Sequence, residues 1–192
     1  MSVTTKITRI WGIGIREVPL NRRAAQALGV GTFVLLTSLG AFVSVRLPFT
    51  PVPMTLQVFF VLLSGAILGP GLGSLSQVIY LSLGAAGLPI FSGASGGLTH
   101  LFGPTGGYIV GFCGASLVVG MLAGRRRHNL FIGCAIMVLG AAIIHTFGVI
   151  WLSFVLNSSL SKAIRMGSCP FILVDLAKAI IAAWVYRLIF RW

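Results

Sequence analysis

Carboxylates are almost absent from this chain: Glu17 and Asp175 are the two acidic residues in 192 positions. Charged side chains of both signs make up 8% of the sequence, against about 25% in an ordinary soluble domain. A water-facing surface cannot be built from so few, which excludes a soluble globular protein. The signatures of several chemistries are missing as well. No G-x-x-x-x-G-K-[ST] occurs and the G-x-G patterns follow no strand, so the chain offers no nucleotide site and cannot hydrolyse ATP by itself. H-E-x-x-H is absent, and His100, His128 and His145 have no metal-ligand spacing. Cys113, Cys134 and Cys169 stand apart with no C-x-x-C, which offers neither a disulfide framework nor a thiolate metal site. No Ser/His/Asp arrangement or second carboxylate in the apolar runs accompanies Asp175. No catalytic residue, metal ligand or cofactor is therefore assigned, and an intramembrane enzyme is the weakest reading.

Apolar runs are what the sequence does contain. Hydrophobic residues reach 57%, with a mean hydropathy of +1.03. Stretches long enough for a bilayer-spanning helix, about 17–25 residues, fall at 24–45, 52–68, 72–88, 104–123, 130–156 and 170–189. Proline and glycine mark the seams at Pro51-Val-Pro53, Gly69-Pro70, Gly103-Pro104 and Cys169-Pro170. The expected fold is an all-α membrane protein of six transmembrane helices, with residues 1–192 forming a single integral membrane domain. Residues 1–23 form a basic cytoplasmic or interfacial segment within it, in which 10–16 is expected to lie along the membrane surface.

The net charge of +12 is an orientation signal. Lys6, Arg9, Arg16, Arg22, Arg23, Arg125, Arg126, Arg127, Arg187 and Arg191 share one side of a six-span protein, against Arg46, Lys162 and Arg165 on the other. By the positive-inside rule both termini are cytoplasmic, in the cell membrane. The basic excess then meets membrane lipid, and nucleic acid is not expected as a partner.

Two regions remain that lipid does not explain. Asp175 lies inside the last apolar run with Lys178 three positions on. An intramembrane charge costs about 2.5–3.5 kcal/mol on insertion scales and usually faces a partner, a cavity or a ligand. On a helix the two share a face, so the residues alone allow a ligand-binding pair or a structural ion pair near a helix N-terminus. The other region is the outer loop 87–107 between helices 3 and 4, with glycine at 87, 93, 96, 97, 103, 106 and 107. Phe91, Leu98, Leu101 and Phe102 need something to cover, so the loop reads as a Gly-rich outer lid over a small-molecule site or as a re-entrant packing loop.

Four blocks of sequence carry a resemblance. They are Pro51-Val-Pro-Met-Thr-Leu-Gln57, Leu88-Pro-Ile-Phe-Ser-Gly-Ala-Ser-Gly-Gly97, Leu101-Phe-Gly-Pro-Thr-Gly-Gly-Tyr108 and Pro170-Phe-Ile-Leu-Val-Asp-Leu-Ala-Lys178. In this order the chain resembles the BioY family, the biotin-binding S components of energy-coupling-factor (ECF) vitamin transporters. Two departures stand out. Leu173-Val174 replaces a frequent Pro-Gly, so helix 6 is expected to start more regularly. Helix 1 has no A-x-x-x-A, the pattern by which S components contact their coupling subunit.

The resemblance implies uptake of biotin as the substrate-binding subunit of an ECF-type ABC transporter, with a separate transmembrane coupling protein and ATPase subunits as partners. The alternatives are a solitary carrier, facilitated or proton-coupled, and an S component for a different vitamin. Biotin presents a ureido group with two N–H donors and one carbonyl, and an anionic tail. Ionised Asp175 accepts, and Lys178 donates. Tyr108 is expected to add a hydroxyl and Gln57 an amide. Phe91 and Trp151 are candidate walls for the apolar bicycle, and Ser95 a partner for the tail carboxylate. For Gln57, Phe91, Ser95 and Trp151, packing or capping is the competing reading.

Overall fold

The computed structural model describes residues 21–124 and 129–190. The expected interfacial segment 10–16, Glu17 and the Arg125–Arg127 cluster lie outside the described residues. Within them the chain is all-helical apart from one short ribbon. The order is α1 (Arg22–Phe42), β1 (Ser44–Val45), β2 (Met54–Thr55), α2 (Gln57–Ala85), α3 (Leu98–Leu101), α4 (Gly106–Ala123), α5 (Leu130–Val155), α6 (Leu160–Gly167) and α7 (Ile172–Phe190).

Local chemistry sets several of these boundaries. Asn21, Asn129 and Ser159 each cap a helix start, their side-chain oxygens accepting from the backbone N–H of Arg23, Ile132 and Lys162. Helix α2 begins five residues later than the apolar run that starts at Val52. Pro51 and Pro53 carry no N–H, and Met54 and Thr55 pair antiparallel with Val45 and Ser44 instead of coiling. Helix α7 starts at Ile172, so Leu173 and Val174 are helical, and it meets α6 at a bend of 58° across Pro170.

Helix α2 is not one straight rod. Gly69 breaks it with φ +82° and ψ 177°, a conformation suited to a residue without Cβ, and Pro70 restarts the helix. The limbs 57–68 and 70–85 then pack on each other. Gln57 Nε2 donates to Tyr80 Oη at 2.6 Å, Gln77 Nε2 donates to Ser64 Oγ at 3.1 Å, and a Cβ on Gly73 would sit 2.8 Å from the Gly65 Cα. Partners centred on Gly69 at increasing separation are the contacts of an antiparallel helical hairpin.

The bundle is apolar outside and partly polar within. Phe131 is 88% exposed and Trp184 57% exposed, and Leu28, Leu35, Phe154 and Leu173 also face outward. Water would not tolerate that surface, whereas lipid does. Thr37, Ser64, Ser76, Gln77 and Ser116 are buried and bonded to one another or to backbone, with Ser64 and Ser116 hydroxyls 2.9 Å apart. Small residues allow that closeness: a Cβ on Gly65 would fall 2.2 Å from the Ser116 carbonyl oxygen. Four helices are long and apolar enough to cross a membrane, and a fifth is added if α6 and α7 form one bent span.

Candidate functional site

Loops at one end of the bundle and the inner faces of α4, α5 and α7 enclose a narrow slot of about 550 Å³, counted to its open side. Its walls are mostly apolar, from residues such as Val52, Met54, Val58, Ile109, Phe112 and Ile144, and its polar groups come from Thr55, Gln57, Ser92, Thr105, Tyr108, His145 and Asp175.

Asp175 is 5% exposed and forms the floor. Lys178 Nζ donates to Asp175 Oδ1 at 2.7 Å and to the Thr55 carbonyl at 2.5 Å, which ties the last helix to the β-ribbon. His145 Nε2 lies 3.0 Å from Asp175 Oδ2. A carboxylate only accepts, so Nε2 carries the proton of that bond and the carboxylate is held at both oxygens. Counting valences shows what is left. Each carboxylate oxygen retains a lone-pair direction, and Lys178 retains a third N–H beyond the two it uses. The floor can thus accept N–H groups and also donate to a carbonyl or carboxylate. His145 Nδ1 is buried with no partner among the described residues.

The expected site residues separate into two groups. Asp175, Gln57 and Tyr108 line the slot, with Lys178 bonded into its floor. The Gln57 amide is itself fixed, its Oε1 accepting from Thr55 Oγ1 at 3.2 Å while its Nε2 donates to Tyr80. Tyr108 donates its hydroxyl to the Gly167 carbonyl at 2.6 Å, so it presents a ring to the slot, edge-on to His145 with centroids 6.3 Å apart.

Phe91, Ser95 and Trp151 lie instead in the fastening of the loop. Phe91 is fully buried, edge-on to Tyr80 and stacked on His100. Ser95 Oγ donates to the Ser92 carbonyl at 2.8 Å and lies 2.9 Å from His100 Nδ1. Its one proton goes to Ser92, so His100 Nδ1–H donates to it, and Nε2 accepts from Thr105 Oγ1 at 3.1 Å. Trp151 Nε1 donates to the Gly103 carbonyl at 3.0 Å. The loop 87–107 is therefore folded onto the bundle by its own side chains, with a single helical turn at α3.

From the sequence His145 reads as a packed or hydrogen-bonded helix residue, and nothing there pairs it with Asp175. It lies 30 positions from Asp175 on a helix apolar around its whole circumference, so no periodicity marks its inward face. A polar residue in a run as apolar as 130–155 was the one available signal.

Helices apolar toward the outside, packed around a slot with a charged floor, define a multi-pass membrane protein with an internal small-molecule pocket. The chain belongs to the BioY family, whose sequence profile matches residues 15–192. It is 44% identical over 157 residues to a probable biotin transporter BioY of Pyrococcus horikoshii, covering 82% of this chain and 91% of that one. It is 42% identical over 160 residues to the biotin transporter BioY of Thermotoga maritima, covering 83% and 92%. The fold is similar, with a TM-score of 0.84, to the 2.1 Å crystal structure of the S-component for biotin from an ECF-type ABC transporter. That likeness has 27% sequence identity and covers 90% of this chain and 94% of the other.

Proposed function

We propose that this chain is a membrane transport protein that captures biotin in the slot above Asp175, as the substrate-binding subunit of an ECF-type transporter. The observation that carries the reading is the bracketed carboxylate: Asp175 is held by Lys178 and His145 at the base of an apolar pocket. One ureido N–H bonds a remaining lone pair of Asp175, and the third N–H of Lys178 meets the adjacent ureido carbonyl. Gln57 and the Tyr108 ring border the bicycle. Phe91, Ser95 and Trp151 act through the loop that roofs the slot.

In this reading the chain crosses the cell membrane six times, with the limbs of α2 counted as two crossings because their contacts are those of a hairpin. Both termini are cytoplasmic, the loop 87–107 is the outer lid, and a separate coupling protein and ATPase subunits supply the energy.

Detergent-purified protein should bind labelled biotin, and Asp175→Ala should weaken that binding about 10–100-fold, the worth of one hydrogen bond to a charged group. Unchanged affinity in a folded variant would sink the site assignment. Uptake in cells lacking the ATPase subunits would favour a solitary carrier.

A further inference from the structure

A second space lies beside the slot. It measures about 870 Å³ counted to its open side, and Pro53, Ser92 and Thr105 form a wall common to both. Its other walls include Thr50, Thr99, His100 and Arg46. The inner slot has no positive charge to spare, since Lys178 is already paired with Asp175. His100 brings none, because burial holds its imidazole below the ordinary value and it serves as a neutral link between Ser95 and Thr105. Lys162 and Arg165 belong to α6 and line neither space.

Arg46 alone among the described residues puts a full positive charge on this mouth. Its guanidinium lies across the backbone of Gly93, where a Cβ would fall 2.2 Å from a guanidinium nitrogen, and Gly93 has φ +75°. The lid is thus shaped to leave room for it. Arg46 forms no hydrogen bond or ion pair with any described residue, and Asp175, the one described carboxylate, is bracketed below.

We infer that Arg46 is the residue that recognises the anionic end of the ligand, bonding a carboxylate that projects from the slot into the outer space. The inference rests on the biotin reading and adds to it the group that reads the tail. A planar guanidinium presents two parallel N–H groups to a carboxylate. Because Arg46 is exposed, the contact is open to salt screening. Ser95, whose proton is committed to Ser92, has none to offer the tail in this arrangement.

The test compares biotin with biotinamide, the same bicycle and chain ending in a neutral amide, on the full-length purified protein. The parent protein should prefer biotin by on the order of tenfold, the worth of one charge-assisted contact, and the preference should shrink as salt is raised. Arg46→Gln should abolish the preference while leaving biotinamide affinity unchanged, which also shows that the variant is folded. Arg46→Lys, which keeps the charge but not the fork, should retain part of it. Equal preference in the parent and Arg46→Gln proteins would overturn the inference and leave the biotin reading standing. Loss of both ligands in Arg46→Gln and in Arg46→Lys alike would overturn it in favour of a structural role. A parent protein that binds neither ligand would overturn the biotin reading and the inference together.

Discussion

Removing Lys178 and removing the whole Asp175–Lys178 pair should have different consequences. Lys178→Ala leaves Asp175 buried with the His145 N–H as its remaining side-chain donor, and stripping one partner from a buried ion pair costs about 3–5 kcal/mol. The double variant Asp175→Asn with Lys178→Met leaves no unpaired charge. It should melt close to the parent protein in detergent yet bind no biotin, and biotin binding by the double variant would take the pair out of the site. His145 is separable in the same way. His145→Leu removes the donor to Oδ2 and should cost about tenfold in affinity, in line with a hydrogen bond to a charged group. His145→Gln, which still offers an N–H, should recover part of that loss in the same binding assay. Asp175 and Lys178 were legible in the sequence because three positions on a helix is one face. His145 was not, because its partnership depends on how two distant helices are rotated toward each other. For Phe91, Ser95 and Trp151 the sequence leaves ligand contact and packing or capping both open, and the bonds of Ser95 and Trp151 to the Ser92 and Gly103 carbonyls are invisible to composition.

Among the elements, the loop 87–107 has its own acid sensitivity. Burial lowers the pKa of His100 below its ordinary value of about 6.5, so the unfastened loop binds a proton more readily than the fastened one. The latch contribution is therefore full above about pH 6.5 and declines as pH falls toward the lowered folded value. Hydrogen exchange in 87–107 should accelerate as pH drops through that window, after correction for intrinsic exchange. Substituting His100→Gln should remove the pH dependence; an unchanged profile would place its origin elsewhere. Helix boundaries show what the sequence does and does not dictate at this scale. Gly69-Pro70 was readable as a seam, because that pair cannot continue a regular helix. The late start of α2 at Gln57 was less so, since Val52–Leu56 is as apolar as the helix and becomes ribbon through pairing with Ser44–Val45.

For the whole molecule, orientation can be tested with the cysteines already present. Cys169 is exposed in the bend between α6 and α7, whereas Cys113 and Cys134 lie within α4 and α5. With both termini cytoplasmic, a membrane-impermeant maleimide should label Cys169 on intact cells. Labelling seen only after permeabilisation would invert the topology. The all-helical membrane class was legible from the scarcity of charge, since no packing arrangement could hide so much apolar surface from water. The bond from Lys178 to the Thr55 carbonyl joins positions 123 residues apart and bears on how the protein comes into being. A chain made from its N-terminus completes the ribbon and the first hairpin before the anchoring ammonium is made. Nascent chains stalled before Lys178 should insert most of their helices yet retain no vitamin, so ligand capture would separate chains that contain Lys178 from those that stop short of it.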